Sequence, residues 1–273
     1  MNGIQEMLQQ LLTRTNTTIL SEHCTVPGHE KWELMKLPSG QVVCPFCERE
    51  RKNRELEEKN ADIFKRLELK KKYAYLKTKS VLSDATLTNA GFKNFVAKEQ
   101  EEVMNKRQML HIVKRYEAKE TFNTWLMGDP GVGKSHLSMA TLKNLNELNG
   151  NGSTCLFISI SAMLRKIRAS FSNKESIYTE DYFVNLMGEA DYLVLDDIGS
   201  ETGGIGTDKA ASDFTQKIIY AVMDMRQNKS TIFTTNLSWD DLNKMYDKKL
   251  ISRMSRNIET VIFKKTSDKR LGV

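Results

Sequence analysis

The spacing of apolar residues divides the chain into three regimes. Residues 5–12 place Met7, Leu8, Leu11 and Leu12 among glutamines, the i, i+1, i+4, i+5 pattern of a short amphipathic helix. From 48 to 80 there is no glycine or proline and nearly every second residue is charged. Leu56, Ile63, Leu67 and Ala74 recur there at intervals of seven, four and seven, which predicts one long, solvated helix with a narrow apolar stripe. A helix over about 99–118 follows, with Val103, Leu110, Val113 and Tyr116 expected to face inward. Beyond it, short apolar runs alternate with helix-length segments. Strands are predicted around Trp125–Met127 and over 154–160, 191–196 and 230–236. Helices are predicted from Leu137 to Leu148, over 161–170 and 179–189, and through Phe214, Ile218, Ile219, Val222 and Met223 to about Arg226. Turns are expected at Gly150-Asn151-Gly152 and in the glycine-rich stretch 200–206. Alternation of this kind specifies an α/β fold with a parallel sheet flanked by helices.

The first chemistry to emerge from this pattern lies in NTWLMGDPGVGKSHLSMA, residues 123–140. Gly128, Asp129, Pro130, Gly131, Val132, Gly133, Lys134, Ser135 and His136 join a predicted strand to a predicted helix and fit G-x-x-x-x-G-K-[ST]. Small residues at such a turn let backbone N–H groups close around phosphates at a helix N-terminus. Lys134 would reach the β- and γ-phosphates of ATP and Ser135 would hold Mg²⁺. The strand 191–196 ends in Asp196-Asp197, where open α/β sheets bind ligands. Asp196 would hold the water shell of Mg²⁺, and Asp197 would orient the attacking water. The strand STIFTTN ends at Asn236, an amide placed to stand beside the γ-phosphate. Arg253 and Arg256, in LISRMSRNIE, are expected three apart on one helical face. Phe92 and Phe95 would serve either an adenine pocket or the core.

Cysteine usage adds a second kind of site. Three of the four cysteines fall in the first 47 residues, as Cys24-x4-His29-x14-Cys44-Pro45-Phe46-Cys47. Three sulfurs and one imidazole would close a tetrahedral structural Zn²⁺ site with no open position for chemistry. Three of the four prolines fall here too, in a segment too small for a core of its own. His23 is the alternative fourth ligand, although a ligand adjacent to Cys24 would strain the chelate. Cys155, in an apolar run, reads as core.

Composition narrows the setting. At 273 residues two domains are expected, and no run approaches the eighteen apolar residues a membrane span needs. No signal-peptide pattern opens the sequence, so a cytoplasmic protein that meets no membrane is expected. A net charge of +6 with pI about 9.0 permits a nucleic-acid partner.

In order and spacing, G-D-P-G-V-G-K-S-H-L, L-V-L-D-D-I-G-S-E, T-I-F-T-T-N and S-R-M-S-R resemble the AAA+ ATPases of the DnaC/DnaI type, which load the replicative DNA helicase of bacteria and phages. The cysteine–histidine cluster resembles the zinc module of DnaI-type and phage loaders. The resemblance implies a zinc-binding, helicase-interacting domain over 1–55, a charged linker helix over 56–86 and an AAA+ ATPase domain over 87–273. It implies a hexameric replicative helicase and single-stranded DNA as partners, with self-association through the ATPase domain. Arg253 then matches an arginine finger inserted into a neighbour's ATP site, Asn236 a sensor, and Arg270 the candidate for a further sensor arginine. The wider AAA+ class usually has glutamate where Asp197 stands. Transposition-associated AAA+ ATPases and nucleotide-dependent DNA-binding initiators are the nearest alternatives.

Overall fold

The computed structural model describes residues 7, 14–148, 152–202 and 211–271. Apart from Met7, the amphipathic helix expected over 5–12 lies outside them, as do Gly150 and Asn151 of one expected turn and residues 203–206 of the glycine-rich loop. The chain forms two compact units, Met1–Glu68 and Leu69–Val273, divided inside the long helix.

In the first unit, three antiparallel strands, β1 (Thr18–His23), β2 (Glu33–Lys36) and β3 (Val42–Val43), lead into α1 (Pro45–Lys79). The helix begins in the C-P-F-C segment, three residues before the expected start, because Pro45 suits a first helical position where no N–H is needed. Its stripe residues Leu56, Ile63 and Leu67 are all about half exposed, and Ala74 is exposed as well. The buried residues among those described from 14 to 68 are Cys24, His29 and Cys44. The ligand cluster itself is therefore the centre of this unit, and the strands around it have too little apolar surface to hold together alone.

The second unit takes in the last turns of α1. Leu76 is buried, the Tyr75 hydroxyl donates to the Leu186 carbonyl at 3.4 Å, and Asn146 donates to the Tyr73 carbonyl at 3.0 Å. A 3-10 turn at Ala85–Asn89 and α2 (Gln100–Glu117) follow. Leu110 of α2 is 37% exposed, against expectation, and Val103 is only half-buried. The inward face instead carries Glu102, Asn105, Met109, Ile112, Val113 and Tyr116. Period alone misplaces it because two of its polar residues are buried by partners: Asn105 donates to the Ile262 carbonyl at 3.0 Å, and Glu102 binds Lys269.

Five parallel strands form the sheet: β4 (Asn123–Gly128), β5 (Cys155–Ser159), β6 (Tyr192–Ile198), β7 (Thr231–Thr235) and β8 (Ile258–Phe263), in the order β5-β6-β7-β4-β8. Between them run α3 (Lys134–Leu148), α4 (Ile160–Ser170), α5 (Glu180–Glu189), α6 (Asp213–Met225), α7 (Trp239–Met245) and α8 (Lys248–Met254). Alternate strand residues feed two apolar clusters. Trp125, Met127, Leu156, Ile158, Leu193, Leu195 and Phe233 belong to one; Leu126, Phe157, Val194, Ile232 and Val261 belong to the other. Trp125 is fully buried, with Phe233 stacked at 4.6 Å and Trp239 at 5.0 Å between ring centres, so truncating it to alanine would cost about 3–5 kcal/mol.

Candidate functional site

The turn from β4 into α3 is shaped by glycines that nothing else could replace. Gly131 and Gly133 hold φ of +80° and +100°, and a Cβ on Gly133 would lie 2.6 Å from the ring of Phe95. Phe95 and Phe92 are both buried in the cluster that also holds Leu126 and Leu137.

Four expected residues converge at the carboxyl ends of β4, β6 and β7. The Lys134 ammonium donates to the Gly128 and Asp129 carbonyls and to Asn236 Oδ1, each at 2.7 Å. Asn236 in turn donates to Asp197 Oδ1 at 3.3 Å. Burial lowers the Lys134 pKa to about 8, against the opposing pull of Asp197 and Asp196. Asp196 is 3% exposed, and burial raises its pKa while hydrogen bonds from Ser135 and Thr234 oppose the rise. The Thr234 hydroxyl is a relay that the sequence reading missed. It donates to Asp196 at 2.7 Å and accepts the Asp197 backbone N–H at 2.8 Å. Its one sequence signal is that it lies two residues before Asn236.

Asp197 has φ of +66°, and the pairing of β6 with β7 is irregular between Leu195 and Ile198. A regular strand would send consecutive side chains to opposite faces. The left-handed residue breaks that alternation, and Asp197 keeps its contact with Asn236 next to the buried Asp196. Further along, Glu201 accepts the Gly199 N–H at 3.0 Å and the Tyr246 hydroxyl, and burial raises its pKa.

Ser135 and Asp196 present the oxygen ligands, and Lys134 the cation, that a Mg²⁺–triphosphate requires. His136 places its Nε2 3.0 Å from the Gly91 carbonyl and its ring edge-on to Phe95.

Arg253 stands elsewhere. It lies over the Tyr220 ring at 4.2 Å and 3.5 Å from Asp224, at the rim of a cavity of about 460 Å³ that Arg226, Lys229 and Arg256 also line. In that lining Thr121, Phe122, Asn228, Lys229 and Asn257 precede β4, β7 and β8, and Asn123 opens β4, so the cavity sits at the amino ends of the strands. A six-residue strand is about 20 Å long, which puts Arg253 roughly that far from its own phosphate loop. Arg256 is not on the helix with Arg253 as expected. The α8 helix ends at Met254, and Arg256 donates to the Gln227 carbonyl at 3.1 Å from the following turn. Arg226, fully buried, spends its guanidinium on the carbonyls of Met187, Ala190 and Ser230 and on Thr231.

In the first unit, ligand atoms of Cys24, His29, Cys44 and Cys47 all lie within 4.8 Å of one another. Cys24 Sγ is 3.6 Å and His29 Nδ1 3.2 Å from Cys47 Sγ. A tetrahedral zinc with bonds near 2.3 Å to sulfur and 2.0 Å to nitrogen separates its ligand atoms by about 3.5–3.8 Å, so the four residues fit that ion. His23 is exposed and outside the cluster. Glu50, which the sequence reading missed, lies 3.3 Å from His29 Nε2, where a carboxylate orients a metal-ligating imidazole.

A family model described as "IstB-like ATP binding protein" matches residues 57–260. No curated protein sequence matches the chain significantly. Among solved structures, the DnaC helicase loader is 24% identical and covers 66% of this chain and 100% of its own, with a TM-score of 0.54. DnaI is 19% identical, covering 68% and 96%, with a TM-score of 0.55. A replication initiator DnaA bound to AMPPCP and single-stranded DNA is 16% identical, covering 67% and 53%, with a TM-score of 0.50. These likenesses establish a P-loop AAA+ fold. Among the described residues no helix is long and apolar enough to cross a membrane.

Proposed function

Because the chain belongs to the IstB-like ATP binding protein family, we propose that it is an ATPase that binds a hexameric replicative DNA helicase and helps place it on single-stranded DNA. The observation that carries this reading is the joining of a Lys134–Asn236–Asp197 hydrogen-bonded chain to a separate unit built around a cysteine–histidine cluster. One supplies turnover and the other a closed, non-catalytic module suited to holding a partner.

In this reading the N–H groups of the glycine-rich turn and the Lys134 ammonium hold the phosphates of ATP. Ser135 and Asp196 would hold Mg²⁺, which offsets the charge on the β- and γ-phosphate oxygens. Asp197 orients a water and takes up its proton as that water attacks the γ-phosphorus. The bond to the β–γ bridging oxygen breaks, and ADP and phosphate leave. Asn236, touching both Lys134 and Asp197, reports the presence of the γ-phosphate. Arg253, too far from its own phosphate loop, serves the site of a neighbouring subunit, so the ATPase unit self-associates. Single-stranded DNA binds this unit with affinity that falls as salt rises.

Interferometry with the purified chain, the helicase of its host and a DNA oligonucleotide tests the reading. The helicase should bind without ATP, and Cys24→Ser and Cys47→Ser should lose that binding while retaining ATP turnover. A chain that captured DNA through its cysteine–histidine unit and ignored the helicase would instead be a zinc-dependent DNA-binding ATPase.

A further inference from the structure

The segment after β8 is laced onto the phosphate loop by the first turn of α2. The Glu101 carboxylate accepts three consecutive backbone N–H groups, from Lys264 and Lys265 at 3.0 Å and Thr266 at 3.1 Å, and the Thr266 hydroxyl at 2.7 Å. Glu102, almost fully buried, binds the Lys269 ammonium at 2.6 Å. Lys269 then donates its backbone N–H to the Gly131 carbonyl at 3.1 Å and stands 5.0 Å over the ring of Phe95, the ring that packs against Gly133. The Asp268 carboxylate fills the space beside Gly131, where a Cβ would come within 1.9 Å of it. The next residue but one, Arg270, donates its backbone N–H to Asp268 at 2.8 Å.

A first-turn glutamate ordinarily serves its own helix by facing the N-terminal dipole. Glu101 is committed to another segment altogether. Four charge-assisted hydrogen bonds to residues 264–266 fix the direction in which the chain leaves β8. Everything beyond depends on that direction: the brace of Lys269 on Gly131 and the placement of Asp268.

We propose that Glu101 is a positioning residue for nucleotide binding, anchoring residues 264–271 as a strap so that Lys269 braces the phosphate loop. The proposal rests on the ATPase reading above and adds to it the device that holds the phosphate loop in shape. It predicts that Glu101 matters for nucleotide through the strap that ends on Gly131.

Fluorescent-nucleotide titrations of the full chain as E101A, E101Q, K269A, E101A/K269A and K134A separate the possibilities. E101A and K269A should each weaken ATP and ADP binding about tenfold, the size of one lost charge-assisted hydrogen bond. The double variant should be no weaker than either single one. E101Q, whose amide oxygen still accepts the N–H groups, should bind ATP close to normally. Should E101A fail to fold, T266V, which removes only the hydroxyl contact, is expected to weaken ATP binding in the same sense. Unchanged ATP affinity in E101A, or effects that multiply in the double variant, would overturn the strap while leaving the ATPase reading intact. Retained ATP binding in K134A would sink the ATPase reading itself.

Discussion

Lys134 and Asn236 meet at 2.7 Å, ammonium to amide oxygen, so that residues 102 apart in sequence share one hydrogen bond at the mouth of the phosphate loop. Through the amide's other end the contact extends to Asp197. Ammonium, amide and carboxylate are thus one connected unit, and under the proposed function substitutions along it should separate binding from turnover.

Lys134→Ala removes the charge that faces the β- and γ-phosphates and should abolish hydrolysis and greatly weaken ATP binding. Asp197→Asn keeps size and most hydrogen bonding, so it should hold ATP normally and turn it over on the order of 10²-fold more slowly. Steady-state hydrolysis beside nucleotide titration checks both, and normal turnover by either variant would reassign its residue.

Burial sets the Lys134 pKa at about 8. Phosphates bind the protonated form and raise that pKa in the complex, so ATP affinity should be flat below pH 8 and fall as pH rises above it. The fold without nucleotide responds in the opposite sense. An unfolded lysine titrates near 10.4, so between about pH 8 and 10.4 the unfolded chain holds more protons and stability gains with pH. Titrations from pH 6.5 to 9.5, paired with thermal melts, should show the two trends diverging. An affinity that stays level through pH 9 would place the ammonium outside the phosphate site.

One zinc per chain is expected on Cys24, His29, Cys44 and Cys47, contributing folding free energy to the first unit. Glu50→Gln should weaken zinc about 10- to 100-fold by releasing the orientation of His29. Elemental analysis and competition with a chromogenic chelator measure both quantities. Protein purified without chelator that carried no zinc would remove the site.

Arg253→Ala should leave ATP binding intact and slow hydrolysis by roughly 10³-fold, the usual worth of a guanidinium supplied in trans. Mixing it with Lys134→Ala should restore some activity, since one chain brings an intact nucleotide site and the other an intact finger. Demonstrated mixed assemblies with no recovery would refute action across a subunit boundary.

The β4 turn and the paired acids are legible because each concentrates its chemistry within a few residues at the end of one strand, and the cysteine–histidine set because three of the four cysteines gather with one histidine over residues 24–47. Strand runs such as Tyr192–Leu195 were legible because burial on both faces leaves them almost purely apolar. The inward face of α2 was not, since Glu102 and Asn105 are buried by partners more than 150 residues away, which no local period encodes. Arg256 was misplaced for a related reason: α8 stops at Met254, and the following turn, not helical spacing, carries Arg256 to the cavity that Arg253 lines. Thr234, Glu50 and Glu101 escaped notice because their roles exist only once distant strands and helices meet.

The left-handed backbone at Asp197 also governs how this chain can change by mutation. At such a φ only glycine, asparagine and aspartate sit with little strain, and of these aspartate alone brings a carboxylate. A glutamate would add reach at the cost of conformational strain, whereas Asp197→Gly would relieve the backbone and discard the acid. Variants selected for heat resistance alone should therefore accumulate glycine at 197, and variants selected for turnover should keep aspartate. Under the proposed function, durability and turnover pull in opposite directions at this position.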